Sequence, residues 1–207
     1  MTGSKLLDIA VREFGQKGLE GASTRGIAAA AGTAMSAITY HYGSKEGLYL
    51  AAADHIAAQI SAAMTALGDD VPKRPVDARA ALHTIVSDFV DAMARDESAD
   101  WALFIVREQI QPGEAFERIY AGMMGQTVAR MAMLIECITG AAARDARLAV
   151  VTMIGQVLAL RASRATVLRL LEITTLDAAT VTALKHRIRR NVDAILHDLA
   201  AQQQEPQ

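Results

Sequence analysis

Cysteine, proline and aromatic residues are scarce in this chain of 207 residues, and each scarcity excludes something. The single cysteine, Cys137, rules out a disulfide framework and any cysteine zinc cluster, and it suits a reducing cytoplasm. Four prolines and 14 glycines are too few for a loop-rich, collagen-like or disordered chain. Neither sign of charge dominates. Lys plus Arg 21 against Asp plus Glu 23 gives a net charge of −2, which argues against a globally basic nucleic-acid coat but permits a local basic face. No apolar run approaches the roughly 18 residues of a membrane span. The greasiest stretch, Leu148 to Leu160, has 13 residues and lies between Arg147 and Arg161. The opening MTGSKLLDIAVREF carries Asp8 and Glu13 and is not a signal peptide. The expectation is a soluble cytoplasmic protein with no membrane partner.

What is present is helical periodicity. Few aromatic and β-branched residues stand beside many Ala, Leu, Met and Arg, and apolar positions recur every three or four residues. The fold class is all-α. A first helix from about Ser4 puts Leu6, Leu7, Ala10 and Phe14 on one face, with Gly18 as its stop. A second starts at Ser23 or Thr24, turns Ile27, Ala28 and Ala31 inward and ends at Gly32. A third covers about Met35 to Tyr42, and Ser44 caps a fourth that reaches about Leu67. The segment GDDVPKRP, Gly68 to Pro75, is the clearest linker. Beyond it, helices run through Leu82 to Met93, through Trp101 to Glu108, and from about Ala115 to Thr139. The last two are expected at about Arg144 to Ile173 and Ala178 to Gln202, the latter capped by Asp177, before a frayed QQQEPQ tail.

The segment TRGIAAAAGTAMSAITYHYGSK, Thr24 to Lys45, carries the most information. Two helices of about two turns each, joined through a glycine, make a helix-turn-helix whose second helix enters the major groove. Thr24 and Arg25 sit at a helix N-terminus, where free N–H groups favour a phosphate. With Ile38 and Tyr42 inward, Met35, Ser36, Ala37, Thr39, Tyr40 and His41 face outward, small, hydroxyl and ring side chains suited to base edges. Lys45 adds a phosphate contact. On spacing alone, Tyr40-His41-Tyr42 could also be ordinary interface packing in a bundle.

From Leu6 to Tyr49 the sequence resembles the DNA-binding head of the TetR family of bacterial transcriptional regulators. The features that carry the resemblance are the apolar first helix ending at Gly18, then STRGIAAAAG, then AITYHYGSKEGLY. It implies phosphate contacts at Thr24, Thr39 and Lys45, and places Arg25, Met35, Ser36, Ala37, Tyr40 and His41 at or near bases. Thr39 stands where many members carry tyrosine, and Tyr42 where phenylalanine is usual. The implied organisation is an N-terminal head at residues 1–47, with the helix-turn-helix at 23–42, and a C-terminal helical ligand-binding and dimerisation bundle at 48–207. REQIQPGEAF and the later RASR are similar to the CecR-like branch, whose regulators respond to antibiotics such as cefoperazone or chloramphenicol. Within residues 1–47, Lys5, Arg12, Lys17, Arg25 and Lys45 nearly balance Asp8, Glu13, Glu20 and Glu46. DNA binding must therefore come from a few placed groups, doubled by dimerisation.

Two uses are expected of the C-terminal bundle. For dimerisation, Val181, Leu184, Ile188, Val192, Ile195 and Leu199 form a seam on the last helix. Leu148, Val151, Gly155, Leu158, Ala162 and Ala165 form another on the helix before, their small members permitting close approach. The alternative is that both seams face the chain's own core. The basic run Lys185, His186, Arg187, Arg189 and Arg190 is expected to pair with acids across the dimer. For an effector pocket, Trp101, Phe104, Ile105, Met123, Met124, Met131, Met133 and Met153 supply a soft lining, with Glu108, Gln126, Thr127 and Gln156 as polar anchors.

Enzymatic readings find no support. The five histidines are scattered, no metal-ligand spacing or nucleotide-binding glycine motif is present, and adjacent Asp54 and His55 point about 100° apart. Cys137 is expected as a buried structural thiol. No cofactor or metal is called for. The expected partners are a palindromic double-stranded operator, a second copy of the chain and an unknown small-molecule effector. The alternative is a ligand-independent helical module whose head binds a protein.

Overall fold

Local signals shape the first helices of the computed structural model, which describes residues 3–64, 72–95 and 99–203. Helix α1 (Gly3–Gly21) buries Ala10, Val11 and Phe14. Gly18, with a φ of 73° and a ψ of 175°, leaves the helical conformation at a kink and stops the first continuous run as expected. The Ala22 N–H still reaches the Gly18 carbonyl at 3.2 Å, so one more turn is hydrogen-bonded beyond the kink. In α2 (Thr24–Ala31) the Ser23 hydroxyl accepts from the Gly26 N–H, and left-handed Gly32 closes the helix. Helix α3 (Met35–Tyr42) follows. Ser44 then opens α4 (Lys45–Met64) by accepting the Gly47 N–H at 3.0 Å. Leu67 and the linker up to residue 71 lie outside the described residues.

Pro75 starts α5 (Pro75–Ala94), a position where its missing N–H costs nothing. Helices α6 (Ala99–Ile110) and α7 (Glu114–Ile119) come next. The single helix expected to Thr139 is interrupted by a wide π turn at Tyr120–Met124, where Gly122 has a non-helical ψ of −152°, before α8 (Gly125–Thr139). The helix expected from Arg144 to Ile173 is likewise two, α9 (Ala143–Ala162) and α10 (Arg164–Leu170), bent by 84° at Ser163. The RASR segment spans that bend. Arg161 donates to the Arg95 carbonyl and Arg164 to the Ala94 carbonyl, so two guanidiniums cap the end of α5. Helix α11 (Ala178–Gln202) opens on Asp177, which accepts the Thr180 N–H at 2.8 Å. Residues 204–207 of the tail lie outside the described residues.

By contact the chain forms two compact units, residues 1–63 with 97–125, and residues 64–96 with 126–207. The first has a core of Phe14, Ile27, Ile38, Leu48, Tyr49, Ile56, Phe104 and Ile119. Helices α6 and α7 thus pack among the N-terminal helices although they follow the linker in sequence. Helices α1 and α6 approach so closely that a β-carbon at Gly15 would lie 2.7 Å from the Asp100 carbonyl oxygen. In the second unit α5, α9 and α11 pack on one another and bury Leu82, Ile85, Val90, Met93, Val150, Met153, Val157 and Leu196. Among the described residues no single helix is long and apolar enough to cross a membrane.

Candidate DNA-binding face and its support

The α2–α3 pair is anchored from beneath by Ile27, Ala28, Ala31 and Ile38, all buried, with Tyr42 half-buried. Its outer surface is what remains. On α3, Met35, Ser36, Thr39, Tyr40 and His41 are exposed and Ala37 is half-buried. Tyr40 stands out, 85% exposed, with its ring edge-on to His41 at 5.2 Å. An aromatic side chain held this far into solvent contributes nothing to the chain's own core. At the start of α2, Thr24 is half-buried, while Arg25 is exposed and makes no hydrogen bond or ion pair among the described residues. Ala34 precedes α3 without a side-chain cap, leaving the first N–H groups of that helix for an external acceptor.

Two expected phosphate contacts have intrachain partners. The Thr39 hydroxyl donates to the Met35 carbonyl at 3.2 Å. Lys45 donates to the Glu20 carbonyl at 3.1 Å, tying the start of α4 to the end of α1. An ammonium has three donors, so this bond leaves two for a phosphate.

The seat of α3 is the first turn of α4. A β-carbon at Gly47 would fall 2.0 Å from the Tyr42 carbonyl oxygen, so the two helices meet backbone to backbone. Two residues on, Tyr49 is buried between Phe14, edge-on at 4.9 Å, and Phe104, stacked at 4.6 Å. Its hydroxyl donates to Glu108 Oε1 at 2.5 Å. Burial, reinforced by that bond, pushes the Tyr49 hydroxyl pKa well above its ordinary value. Glu108 is 6% exposed, and its other oxygen accepts the N–H groups of Gly113 (3.3 Å) and Phe116 (3.0 Å) at the start of α7. Tyr49 went unnoticed in sequence because a tyrosine on an apolar helix face reads as packing.

Glu108 therefore has a structural assignment that its reading as a ligand anchor did not anticipate. Of the other expected pocket residues, Trp101, Phe104, Ile105 and Met124 pack into the core of the first unit. Met131 and Met153 are buried in the second unit, as is Thr127, so these apolar side chains serve as core. The Met123 side chain lies outside the described residues. Gln156 accepts from Asn191 at 2.8 Å and so joins α9 to α11. An open cleft of about 540 Å³ does exist in the first unit. It is lined by Lys17, Glu46, Tyr49, Arg107, Glu108 and Glu114 among others, so among the described members of the expected set Glu108 alone reaches it.

The expected dimer seams divide. Ile188, Val192 and Leu199 are buried in the chain's own fold and are not available to a second copy. Val181, Leu184 and Ile195 are half-buried. On α9, Leu148 and Val151 are exposed, Val151 by 67%, Gly155 faces open space, and Leu158 is half-buried. Ala162 and Ala165 are exposed. Lys185 pairs with Asp91 of the same chain, so that member of the basic run is not free to bridge a dimer. Asp54 and His55 are separately engaged, with Arg118 and Asp8 respectively. Cys137 is half-buried and its thiol donates to the Pro72 carbonyl, a less enclosed position than expected.

A helix-turn-helix whose outer face stays exposed among the described residues is the arrangement of a DNA-binding transcriptional regulator. Residues 6–52 match the bacterial regulatory proteins of the tetR family, and residues 78–199 match the C-terminal domain of the HTH-type transcriptional dual regulator CecR. The chain is 30% identical over 205 residues to the dual regulator CecR of Shigella flexneri, covering 95% of this chain and 92% of that protein. The chain belongs to the tetR family, with a C-terminal domain of the CecR type.

Solved structures agree on the fold. A transcriptional regulator from Rhodococcus sp. Rha1 superposes with a TM-score of 0.67 at 17% identity, over 95% of this chain and 97% of that one. AibR, solved with isovaleryl coenzyme A and operator DNA, gives 0.67 at 18% identity over 89% and 94%. FadR of Bacillus subtilis, solved with stearoyl-CoA, gives 0.64 at 17% identity over 91% and 96%.

Proposed function

We propose that this regulator acts in the cytoplasm as a homodimer that places its two α3 helices in successive major grooves of a palindromic operator, about 34 Å apart. It lowers transcription there until a small amphipathic or hydrophobic molecule releases it. The observation that carries the reading is the exposed face of α3 with Tyr40 projecting, together with an exposed Arg25 at the start of α2 that has no partner among the described residues. In this reading Arg25, Met35, Ser36, Ala37, Tyr40 and His41 approach bases, while Thr24, Thr39 and Lys45 meet phosphates. The dimer is supported by the exposed Leu148, Val151 and Gly155, continued by Leu158, Ala162, Ala165, Val181, Leu184 and Ile195. AibR and FadR, each solved with an acyl-coenzyme A, support an amphipathic effector. For a hundredfold loss of operator occupancy, that effector's affinities for the two states must differ by about 2.7 kcal/mol.

The test is a fluorescence-anisotropy titration at fixed salt, with competitor DNA present. The probe is a palindrome from the DNA flanking this protein's own gene, or one selected from random DNA. Wild type is expected to bind tightly and resist competitor. Arg25→Ala and Tyr40→Ala are expected to lose operator binding while the unfolding free energy of each stays within the range of a neutral surface change, roughly ±0.5 kcal/mol. Wild-type binding that collapses with salt for every selected sequence would sink the reading and turn the α3 face over to a protein partner.

A further inference from the structure

We propose that Glu108 and Tyr49 are positioning residues for operator binding, a clamp that fixes the first turn of α4 and, through it, the recognition helix α3. The inference rests on the operator-binding reading above. Every link lies inside one compact unit. Residues 97–125, which carry α6 and α7, are bracketed in sequence by two stretches of the other unit, yet they pack among the N-terminal helices. Glu108 is where that insertion grips α4. Its buried carboxylate spends one oxygen on the Tyr49 hydroxyl and the other on the Gly113 and Phe116 N–H groups.

Those bonds constrain three things together. They fix how α7 leaves α6, they hold Tyr49 between Phe14 and Phe104, and they set where α4 begins. The start of α4 in turn decides the pose of α3, because Gly47 admits the Tyr42 carbonyl with no space for even a methyl group. The Ser44 N–H, bonded to that same carbonyl at 2.8 Å, leaves the turn little slack. A shift of Tyr49 therefore travels two residues to Gly47 and then directly to the end of the recognition helix. A carboxylate could not be buried here for apolar packing alone. Its burial is tolerated because two amides and a phenol meet it. The clamp also borders the cleft of about 540 Å³, which both Tyr49 and Glu108 help to line.

The experiment uses the full-length protein in five forms: wild type, Tyr49→Phe, Glu108→Gln, the Tyr49→Phe/Glu108→Gln double variant and Ile85→Val. Each is measured for operator Kd by anisotropy well below its melting temperature, and for the melting temperature itself. Tyr49→Phe keeps the ring stack and deletes only the hydroxyl. It is expected to weaken operator binding about tenfold, the scale of one lost hydrogen bond to a charged group. Glu108→Gln is expected to lose less, because a glutamine can turn its oxygen to the α7 amides and its NH2 to the Tyr49 oxygen. The double variant should lose less than the product of the two single fold-losses, because both substitutions break the same contact, and that shortfall is the coupling read by the cycle. Ile85→Val, in the other unit, trims stability without touching the clamp and is expected to leave Kd unchanged.

Tyr49→Phe or Glu108→Gln lowering the melting temperature with wild-type Kd would overturn the clamp and make the pair purely structural. Strictly additive losses would equally refute the coupling. Failure of the wild type itself to bind any operator would instead refute the underlying reading, so the two failures are told apart.

Discussion

Gly47→Ala sets two opposing effects against each other, and the geometry decides which wins. Alanine is the better helix former by about 1 kcal/mol, so a solvent-facing Gly47 would yield a more stable protein on substitution. Here the new β-carbon would sit 2.0 Å from the Tyr42 carbonyl oxygen and 3.2 Å from its carbon. Ordinary contact needs more than an ångström of extra separation, and the obstacle is backbone, which has no rotamer to change. Overpacking of this kind costs about 1–3 kcal/mol, and a backbone obstacle belongs at the upper end. The net expectation is a loss of about 1–2 kcal/mol, or roughly 3–6 °C of melting temperature for a chain of this size.

The functional loss should be larger than the thermal one. Relief of the clash has to rotate α3 against α4, and hydrogen bonds to base edges weaken steeply once misplaced by about 1 Å. With two half-sites affected, operator affinity is expected to fall about a hundredfold or more, while non-specific binding, which depends on tolerant phosphate contacts, changes little. Differential scanning fluorimetry and anisotropy on specific and scrambled duplexes read both. A variant that melts higher than wild type and binds the operator unchanged would refute the argument that the α3–α4 junction is close-packed and sets the recognition helix.

Two further outcomes follow from the second unit. Val151→Glu puts a charge at the middle of the exposed α9 face and is expected to convert a dimer to a folded monomer in light scattering after size exclusion, whereas Ile188→Glu, at a buried site, should unfold the chain; a wild-type monomer, or a dimer indifferent to Val151→Glu, would remove α9 from the interface. His83 has a lowered pKa because burial outweighs the attraction of Asp193 at 3.0 Å, so the folded chain takes up that proton less readily than the unfolded one. Its contribution to stability is then complete above about pH 6.5 and is lost as the pH falls through the lowered value, so melting temperature should drop from pH 7.5 to 5.5, and less in His83→Gln; an equal drop in both would assign the pH dependence elsewhere.

Much of the head was legible because its determinants are local. Ser23 and Ser44 cap the helices they precede, Gly32 ends α2, and the spacing of Ile27, Ala28, Ala31 and Ile38 names the inward face. The breaks at Gly122 and Ser163 were not legible. Apolar spacing runs on across both, and the Arg161 and Arg164 bonds that flank the bend between α9 and α10 go to carbonyls about seventy residues earlier, which no local pattern announces. Spacing does not tell a methionine-rich pocket from a methionine-rich core, because a methionine fills a gap or lines one with the same periodicity. Phe104, Met131 and Met153 turned out to fill it.

The sequence by itself determined the class of protein. A helix-turn-helix is written in caps, glycines and a short apolar repeat, each acting within one or two turns, and the outward residues of α3 follow once the inward ones are known. Only the tertiary structure decided which faces of the later helices stay open. An amphipathic stripe demands a cover but does not say whose: on α11, Ile188, Val192 and Leu199 found theirs inside the chain, while Val151 on α9 did not. It also gave Glu108 its partner. A glutamate and a tyrosine nearly sixty positions apart carry no mark of each other in sequence, because a buried carboxylate is satisfied by whatever donors the fold brings to it.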